Sequence, residues 1–404
     1  MRIVELTTYR TPMQPNVCLL GLRADTGHLA LGESFWGAPA VEAYLHETAA
    51  PVLATATSTA PAAVGALLHP YVGFGGSGAE TRGNGAIDIA LWDLLGQLTG
   101  QPLSRLLGGP VRDRVPVYNT CAGYEYIRHE GAQTSSNWGL PTDPVAARPY
   151  EDLEAFLQRP AELTRSLLDE GYTAMKVWPF DAAAEDSAGQ DVSLAGLRAG
   201  MAVLEAIRGE AGDRMQILVE LHSLWSLKAA TQLLRAMTDV APFWVEDPMR
   251  GDAVEAYRRL RERVEVPIAA GEALSGTRGF KPLLDVGAID VAVVDIGWTG
   301  GVTEATKVAS LADAYGVSFA PHDCTGPISF AVCTQVVAAQ TNGLVAETVR
   351  AFQSGWYPEV LEGLPLVKDG VVEPSTAPGL GVTLREEFLA RPDTVARTTV
   401  LQRP

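Results

Sequence analysis

Three glutamates recur at one spacing: Glu220, Glu246 and Glu272, successive members 26 residues apart. Each ends a short apolar, β-prone run, ILVE at 217–220, FWVE at 243–246 and IAAGE at 268–272, and Asp247-Pro248 stops the second. Roughly 30 residues is the length of one strand–helix–strand unit. Three carboxylates one unit apart, each at a strand's C-terminal end, point into one mouth of a parallel barrel, where such barrels keep their chemistry. Carboxylates sharing a site repel each other and stay partly protonated unless a cation neutralises them. An all-oxygen set favours a hard divalent ion, Mg²⁺ first. One strand-end acid reads equally well as a solvated or helix-capping group; three in register argue for a site.

More polar residues fall where strands end: Lys176 in TAMKVW, Asp295 in VAVVD, His322 in SFAPHD and Glu347 in LVAE. His222, two residues beyond Glu220, is placed in the same cavity from a loop. An aspartate beside a histidine fixes its tautomer and stabilises its protonated form, which makes a competent general base. Lys176 on a buried strand needs an anionic partner, and a metal-bound substrate carboxylate is expected to be that partner. A divalent cation, a lysine and a histidine base suit removal of a proton α to a carboxylate, with the developing charge met by metal and lysine. A second acid opposite the base could then expel a β-hydroxyl. His28, His46, His69 and His129 read as surface or packing residues.

The elements that must hold these groups alternate from residue 115 onward. Strands are expected at 115–118, 173–177, 217–220, 243–246, 268–270, 291–295, 318–321 and 344–347, with helices between them such as 192–208 and 302–315. Eight is the number a closed (β/α)₈ barrel requires. Residues 1–112 differ: strands at 3–10, 17–24 and 29–32, then helical segments near 40–55 and 60–70. A strong helix follows at 84–100, with Ile87, Leu91, Leu94, Leu95 and Leu98 on one face and Gly100 and Pro102 ending it. That order suggests a separate α+β domain. The expected division is 1–112 for this domain, 113–360 for the barrel and 361–404 for a tail that packs back on the first domain. A long loop at 124–149, with Tyr124, Tyr126 and Trp138, reads as a lid or subunit contact. Asp369-Gly370 reads as a hairpin turn.

The bulk numbers agree with such an enzyme. A chain of 404 residues with 47% hydrophobic residues buries a large core, and no run of 18 apolar residues suggests a membrane span. The opening MRIVELTTYR lacks the apolar core of a signal peptide. Four cysteines, Cys18, Cys121, Cys324 and Cys333, show no close-spaced metal pattern, so a reduced, cytoplasmic protein is expected, as a homo-oligomer. A net charge of −17 argues against nucleic acid and anionic membrane as partners, and says nothing against a small anionic substrate beside a cation.

With these motifs in order, the chain resembles the enolase superfamily, mandelate racemase group. The stretch AIDIALWDLLGQLTGQPLSRLLGG at 86–109 resembles the family's signature before the barrel, and GYTAMK, VELH, WVEDP, AAGE, GWTGG, APHDCTGP and VAET follow in the family's order. The resemblance covers nearly the whole chain. It implies a modified TIM (β/α) barrel with an α+β capping domain formed from both chain ends, whose loops, here 11–16 and 35–37, close over the substrate. It implies Mg²⁺ on Glu220, Glu246 and Glu272, catalysis by His322 with Asp295, and Glu347 as a hydrogen-bonding partner of the enolate. Lys176, Trp178, Trp36 and Trp298 are the expected substrate contacts.

Two features select a branch. Racemases of the group show Lys-x-Lys on the second barrel strand, the second lysine being a base opposite the histidine; here the motif is Lys176-Val177-Trp178, and tryptophan accepts no proton. Glu220-Leu221-His222 resembles the acid-x-His of galactonate- and mannonate-type dehydratases, where that histidine protonates the leaving hydroxyl. The sixth strand lacks the lysine of muconate cycloisomerases and dipeptide epimerases. The reading is a Mg²⁺-dependent dehydratase of a sugar acid, aldonate-type, giving a 2-keto-3-deoxy acid. Its rivals are a cycloisomerase that opens an anhydro or lactone ring, and a non-catalytic binding or regulatory member of the fold.

Overall fold

The computed structural model describes residues 1–69, 78–128, 134–140 and 150–402. His129 and most of the 124–149 loop lie outside these. Three antiparallel strands open the chain, β1 (Ile3–Arg10), β2 (Val17–Ala24) and β3 (Leu29–Phe35). The last strand, Val395–Val400, pairs antiparallel with β1 and completes a four-stranded sheet. β3 runs on to Phe35, beyond the expected end at residue 32, because it stays paired with β2 as far as Val17. The helix Ala79–Thr99 starts earlier than expected and packs on β3. The contact is close: a Cβ on Gly32 would lie 2.0 Å from the Ala86 carbonyl oxygen, so only glycine fits.

All eight expected barrel strands form. They are β4 (Val115–Thr120), β5 (Ala174–Val177), β6 (Gln216–Glu220), β7 (Trp244–Glu246), β8 (Ile268–Ala270), β9 (Val291–Asp295), β10 (Ser318–His322) and β11 (Ala346–Thr348). Parallel pairing runs unbroken from β4 to β10, and β11 pairs with β4. The ring closes where Leu344 N–H donates to the Phe319 carbonyl (2.8 Å) and Phe319 N–H to that of Asn342 (2.9 Å). The turn at Asp369-Gly370 joins a short hairpin that adds antiparallel to β4, so this part of the tail docks on the barrel rather than on the first sheet.

Strand periodicity places the polar residues. Tyr118, Ala174, Leu218, Trp244, Val293, Ala320 and Val345 belong to one buried cluster filling the barrel. Side chains two apart on a strand share a face. The next inward positions are therefore Thr120, Lys176, Glu220, Glu246, Asp295, His322 and Glu347: an apolar plug with a ring of polar groups above it. At the β4–β11 seam the buried Asp152 holds Arg350 (2.6 Å to Nη2) and accepts from Asn119 (2.9 Å).

The first sheet and helix sit on the mouth of the barrel, and their buried carboxylates tie them to its surroundings. Glu33 of β3 is buried and accepts from Ile328 N–H (3.0 Å). Asp88 accepts from Thr303 N–H (2.9 Å), and Asp93 from Leu31 and Leu380 N–H (2.9 and 2.8 Å). Burial pushes Glu33 up to about 7 and Asp88 and Asp93 to about 6, against the lowering effect of these donors. A carboxyl whose folded pKa exceeds its unfolded value contributes stability that is full below the unfolded pKa, near 4.5 for Glu33, and lost as pH rises through about 7. Urea midpoints should therefore rise as pH falls from about 7.5 to about 5, and Glu33→Gln should flatten part of that slope; a flat or reversed profile contradicts the burial argument.

Candidate active site

The three glutamates converge. Among the described residues, side-chain oxygens of Glu220, Glu246 and Glu272 all lie within 4.8 Å of one another. Glu220 and Glu246 are register partners on β6 and β7, and Glu272 stands two residues past β8. Trp244, inward-facing just below, donates its indole N–H to Glu246 Oε2 (2.8 Å) and so orients that carboxylate. Glu220 Oε1 accepts from the N–H groups of Leu221 and His222 (2.9 and 2.6 Å). Its Oε2 is buried with no hydrogen-bond partner. Burial and the repulsion of Glu220 and Glu347, opposed by Lys176, push Glu246 up to about 7. A hard-oxygen set with an orphaned buried oxygen and mutual repulsion fits a divalent cation.

Lys176 is only 3% exposed and already has anionic partners within the barrel. Its Nζ lies 3.0 Å from Glu246 Oε1, 2.9 Å from Glu347 Oε1 and 3.7 Å from Glu220 Oε2. Burial works against its charge, but Glu246 and Glu347 outweigh that and raise it well above its ordinary value. Glu347 also accepts from the Thr120 hydroxyl and from Asp323 N–H (2.7 Å). Burial raises Glu347, and Lys176, His322 and these donors bring it down to about 2.

The two histidines are each held by a carboxylate. His322 Nδ1 lies 2.9 Å from Asp295 Oδ2, and Trp298 N–H fixes the other oxygen of Asp295 (2.8 Å). His322 Nε2 lies 3.3 Å from Glu272 Oε2. Burial lowers the ring's pKa, while Glu272, Asp295 and Glu347 raise it well above the ordinary value; the Glu272 charge is one that a bound cation offsets. His222 Nδ1 lies 2.7 Å from Asp181 Oδ2. Burial lowers His222, and Asp181 and Glu220 raise it, to about 10. His222 and Ser223 both adopt positive φ (49° and 60°), a tight turn that returns the ring to the cavity.

That cavity is lined by Lys176, Glu220, Glu272, His222 and His322, with Trp36, Trp178, Trp298 and Tyr126 among its walls. Trp36 comes from the first domain, at the end of β3, so this domain roofs the mouth. Trp298 donates its indole N–H to the Phe35 carbonyl (3.0 Å), and the Arg82 guanidinium stacks on its ring at 4.3 Å. Trp178 is 1% exposed and packs against Phe156, Tyr126 and Trp138, with ring centroids 5.0, 5.3 and 6.2 Å away. It forms an aromatic wall of the cavity, and its indole N–H is buried without a hydrogen-bond partner. Asp181 and Thr120 were not singled out from sequence. Thr120 follows from the inward row of β4, two residues after Tyr118; Asp181 carried no such signal, because its partner is 41 residues away in the next unit. Among the other histidines, His46 is buried between Thr8 (2.9 Å) and Thr399 (2.7 Å), a packing role.

The family model described as "Enolase C-terminal domain-like" matches residues 159–388. The chain belongs to that family. It is an enzyme of the enolase superfamily, mandelate racemase group. A D-galactonate dehydratase of Xanthomonas axonopodis pv. citri is 30% identical, covering 97% of this chain and 94% of its own length. A D-gluconate dehydratase of Thermoproteus tenax is 30% identical over 76% of this chain and 55% of its own. Among solved structures, an enolase of the mandelate racemase subgroup from Agrobacterium tumefaciens is 37% identical, with TM-score 0.87 and 99% of both chains covered. The fold is the family's modified TIM barrel with a capping domain. No described helix is long and apolar enough to cross a membrane.

The orphaned Glu220 oxygen gives a direct test. Glu220→Gln, Glu246→Gln and Glu272→Gln should each weaken binding in a calorimetric titration with MgCl₂ by at least about tenfold, with the circular dichroism spectrum retained. Unchanged affinity in all three would remove the cation from this site.

Proposed function

We propose that the protein is a Mg²⁺-dependent hydro-lyase acting on a sugar acid of the aldonate type, which removes the C2 proton, eliminates the C3 hydroxyl and yields a 2-keto-3-deoxy acid. One observation carries this reading: two carboxylate-held histidines and one lysine line a single cavity with two of the three clustered glutamates, and the second base position, one residue past β5, holds Trp178. The dehydratase names of the relatives support the same reaction type.

Glu220, Glu246 and Glu272 would hold the cation, which when bound supplies charge stabilisation for an enolised carboxylate. Lys176 stays protonated among its carboxylates and presents fixed positive charge where the substrate carboxylate gains electron density. His322 Nδ1 is committed to Asp295, so Nε2, which lies 3.3 Å from Glu272 Oε2, is the atom that would take the C2 proton. His222 Nδ1 is committed to Asp181, so Nε2 delivers a proton to the departing C3 oxygen, which leaves as water. The resulting enol gains a proton at C3 and becomes the ketone. Trp36 and Trp298 help exclude water, which strengthens each of these charge interactions.

The reading is tested with a panel of aldonates, aldarates and anhydro or lactone sugar acids in MgCl₂. An aldonate should give a 2-keto-3-deoxy acid, and His322→Asn should lower kcat by about 10²-fold or more with the metal still bound. Turnover of only a ring-closed acid, without loss of water, would make the protein a cycloisomerase; full activity in excess chelator would contradict the metal's role.

A further inference from the structure

Each strand that carries a member of the catalytic pair leads to a 13-residue helix: Pro327–Ala339 after β10, and Val302–Ala314 after β9 and a four-residue helical turn, Ile296–Thr299, whose N-cap is Asp295. The first turn of each is capped by a carboxylate from the other domain. Asp88 of the helix Ala79–Thr99 accepts Thr303 N–H on Oδ1 (2.9 Å) and the Thr303 hydroxyl on Oδ2 (2.6 Å). Glu33 of β3 accepts Ile328 N–H on Oε2 (3.0 Å). Neither forms an ion pair among the described residues, so each carboxyl group is met by the N–H donors of a helix N-terminus, whose peptide dipoles favour its ionised form against the effect of burial. Both helices are preceded by a glycine that makes room for the intruding acid. A Cβ on Gly301 would stand 2.4 Å from Asp88 Oδ1, and one on Gly326 would stand 2.3 Å from Glu33 Oε1. A third close approach joins the same two regions: a Cβ on Gly85 of the helix Ala79–Thr99 would lie 2.1 Å from the carbonyl oxygen of Gly297, two residues past Asp295.

The contacts are selective in place. Their targets are the segments just downstream of Asp295 and His322, so the cap's buried acids reach the two loops that must be in register for the 2.9 Å contact between these residues. We propose that Glu33 and Asp88 are positioning residues for the Asp295–His322 pair: by capping the two helices that follow β9 and β10, the first domain sets the pair's geometry as well as roofing the cavity. The proposal rests on the reading of His322 as the base. A capped helix start holds its strand end in place; releasing either cap lets one loop shift while the other stays. A displacement of the order of 1 Å at a reacting group costs about 10²-fold in rate.

The test uses full-length Glu33→Leu and Asp88→Leu, with Glu33→Gln and Asp88→Asn, which keep an acceptor. Two quantities are read in each folded variant. One is the downfield proton resonance of the His322 Nδ1–H, assigned by its absence in His322→Asn. The other is the pair kcat and KM on the substrate found by the panel. The leucine variants should shift or lose the resonance and lower kcat by about tenfold or more while KM stays within about threefold; the amide variants should recover most of both. Gly326→Ala leaves both carboxylates in the chain but drives a methyl onto Glu33, and should reproduce the Glu33→Leu signature even if a leucine variant fails to fold. An unaltered resonance and kcat in the folded variants and in Gly326→Ala, whatever the melting temperature does, would overturn the proposal. If no sugar acid is turned over, the functional reading falls while the resonance still decides the positioning claim.

Discussion

Lys176 is the interaction on which the site depends. One ammonium with almost no exposure faces Glu246, Glu347 and Glu220 in the interior of the barrel. Burying any one of these charges alone is expensive, and removing one partner of such a set leaves the others uncompensated. The lysine fixes three strand ends against one another, holds Glu347 ionised and leaves Glu220 with a free oxygen. It can do so because the barrel stacks a layer of apolar side chains directly beneath it, which keeps water out from below.

The other half of the arrangement comes from the first domain. Glu33, Asp88 and Asp93 are all buried acids that accept backbone N–H groups outside their own element, and none of them reaches the cavity. The roof over the mouth is formed by Trp36 together with Trp298, which is tied to the Phe35 carbonyl. The first domain therefore contributes part of the cover together with the anchorage, and the clustered carboxylates, lysine and histidines come from the barrel.

Much of this was legible in the sequence because strand periodicity and topology are local signals. Most barrel strands carry, at or near the C-terminal end, a polar residue two positions above an apolar one, so Lys176, Glu220, Glu246, Asp295, His322 and Glu347 announce their own placement. What sequence could not show was pairing across units. Lys176 needs an anionic partner, and no spacing rule names Glu246 and Glu347, from other strands, as the protein groups beside it. Asp181 joins His222 from a neighbouring strand's loop. Glu33 meets Ile328 across 295 residues, a separation at which no spacing rule operates. Trp178 was legible as a missing base, but its packing against Tyr126, Trp138 and Phe156 depends on the loop after β4, whose fold no motif encodes.

The central claim is that one base, His322, works against an aromatic wall with no second proton acceptor. Turnover in D₂O measures this most directly. The account predicts keto product with deuterium at C3 and unreacted substrate whose C2 configuration is unchanged. Formation of the C2-deuterated epimer of the substrate at a rate comparable to product would show a second base facing His322, and would contradict it.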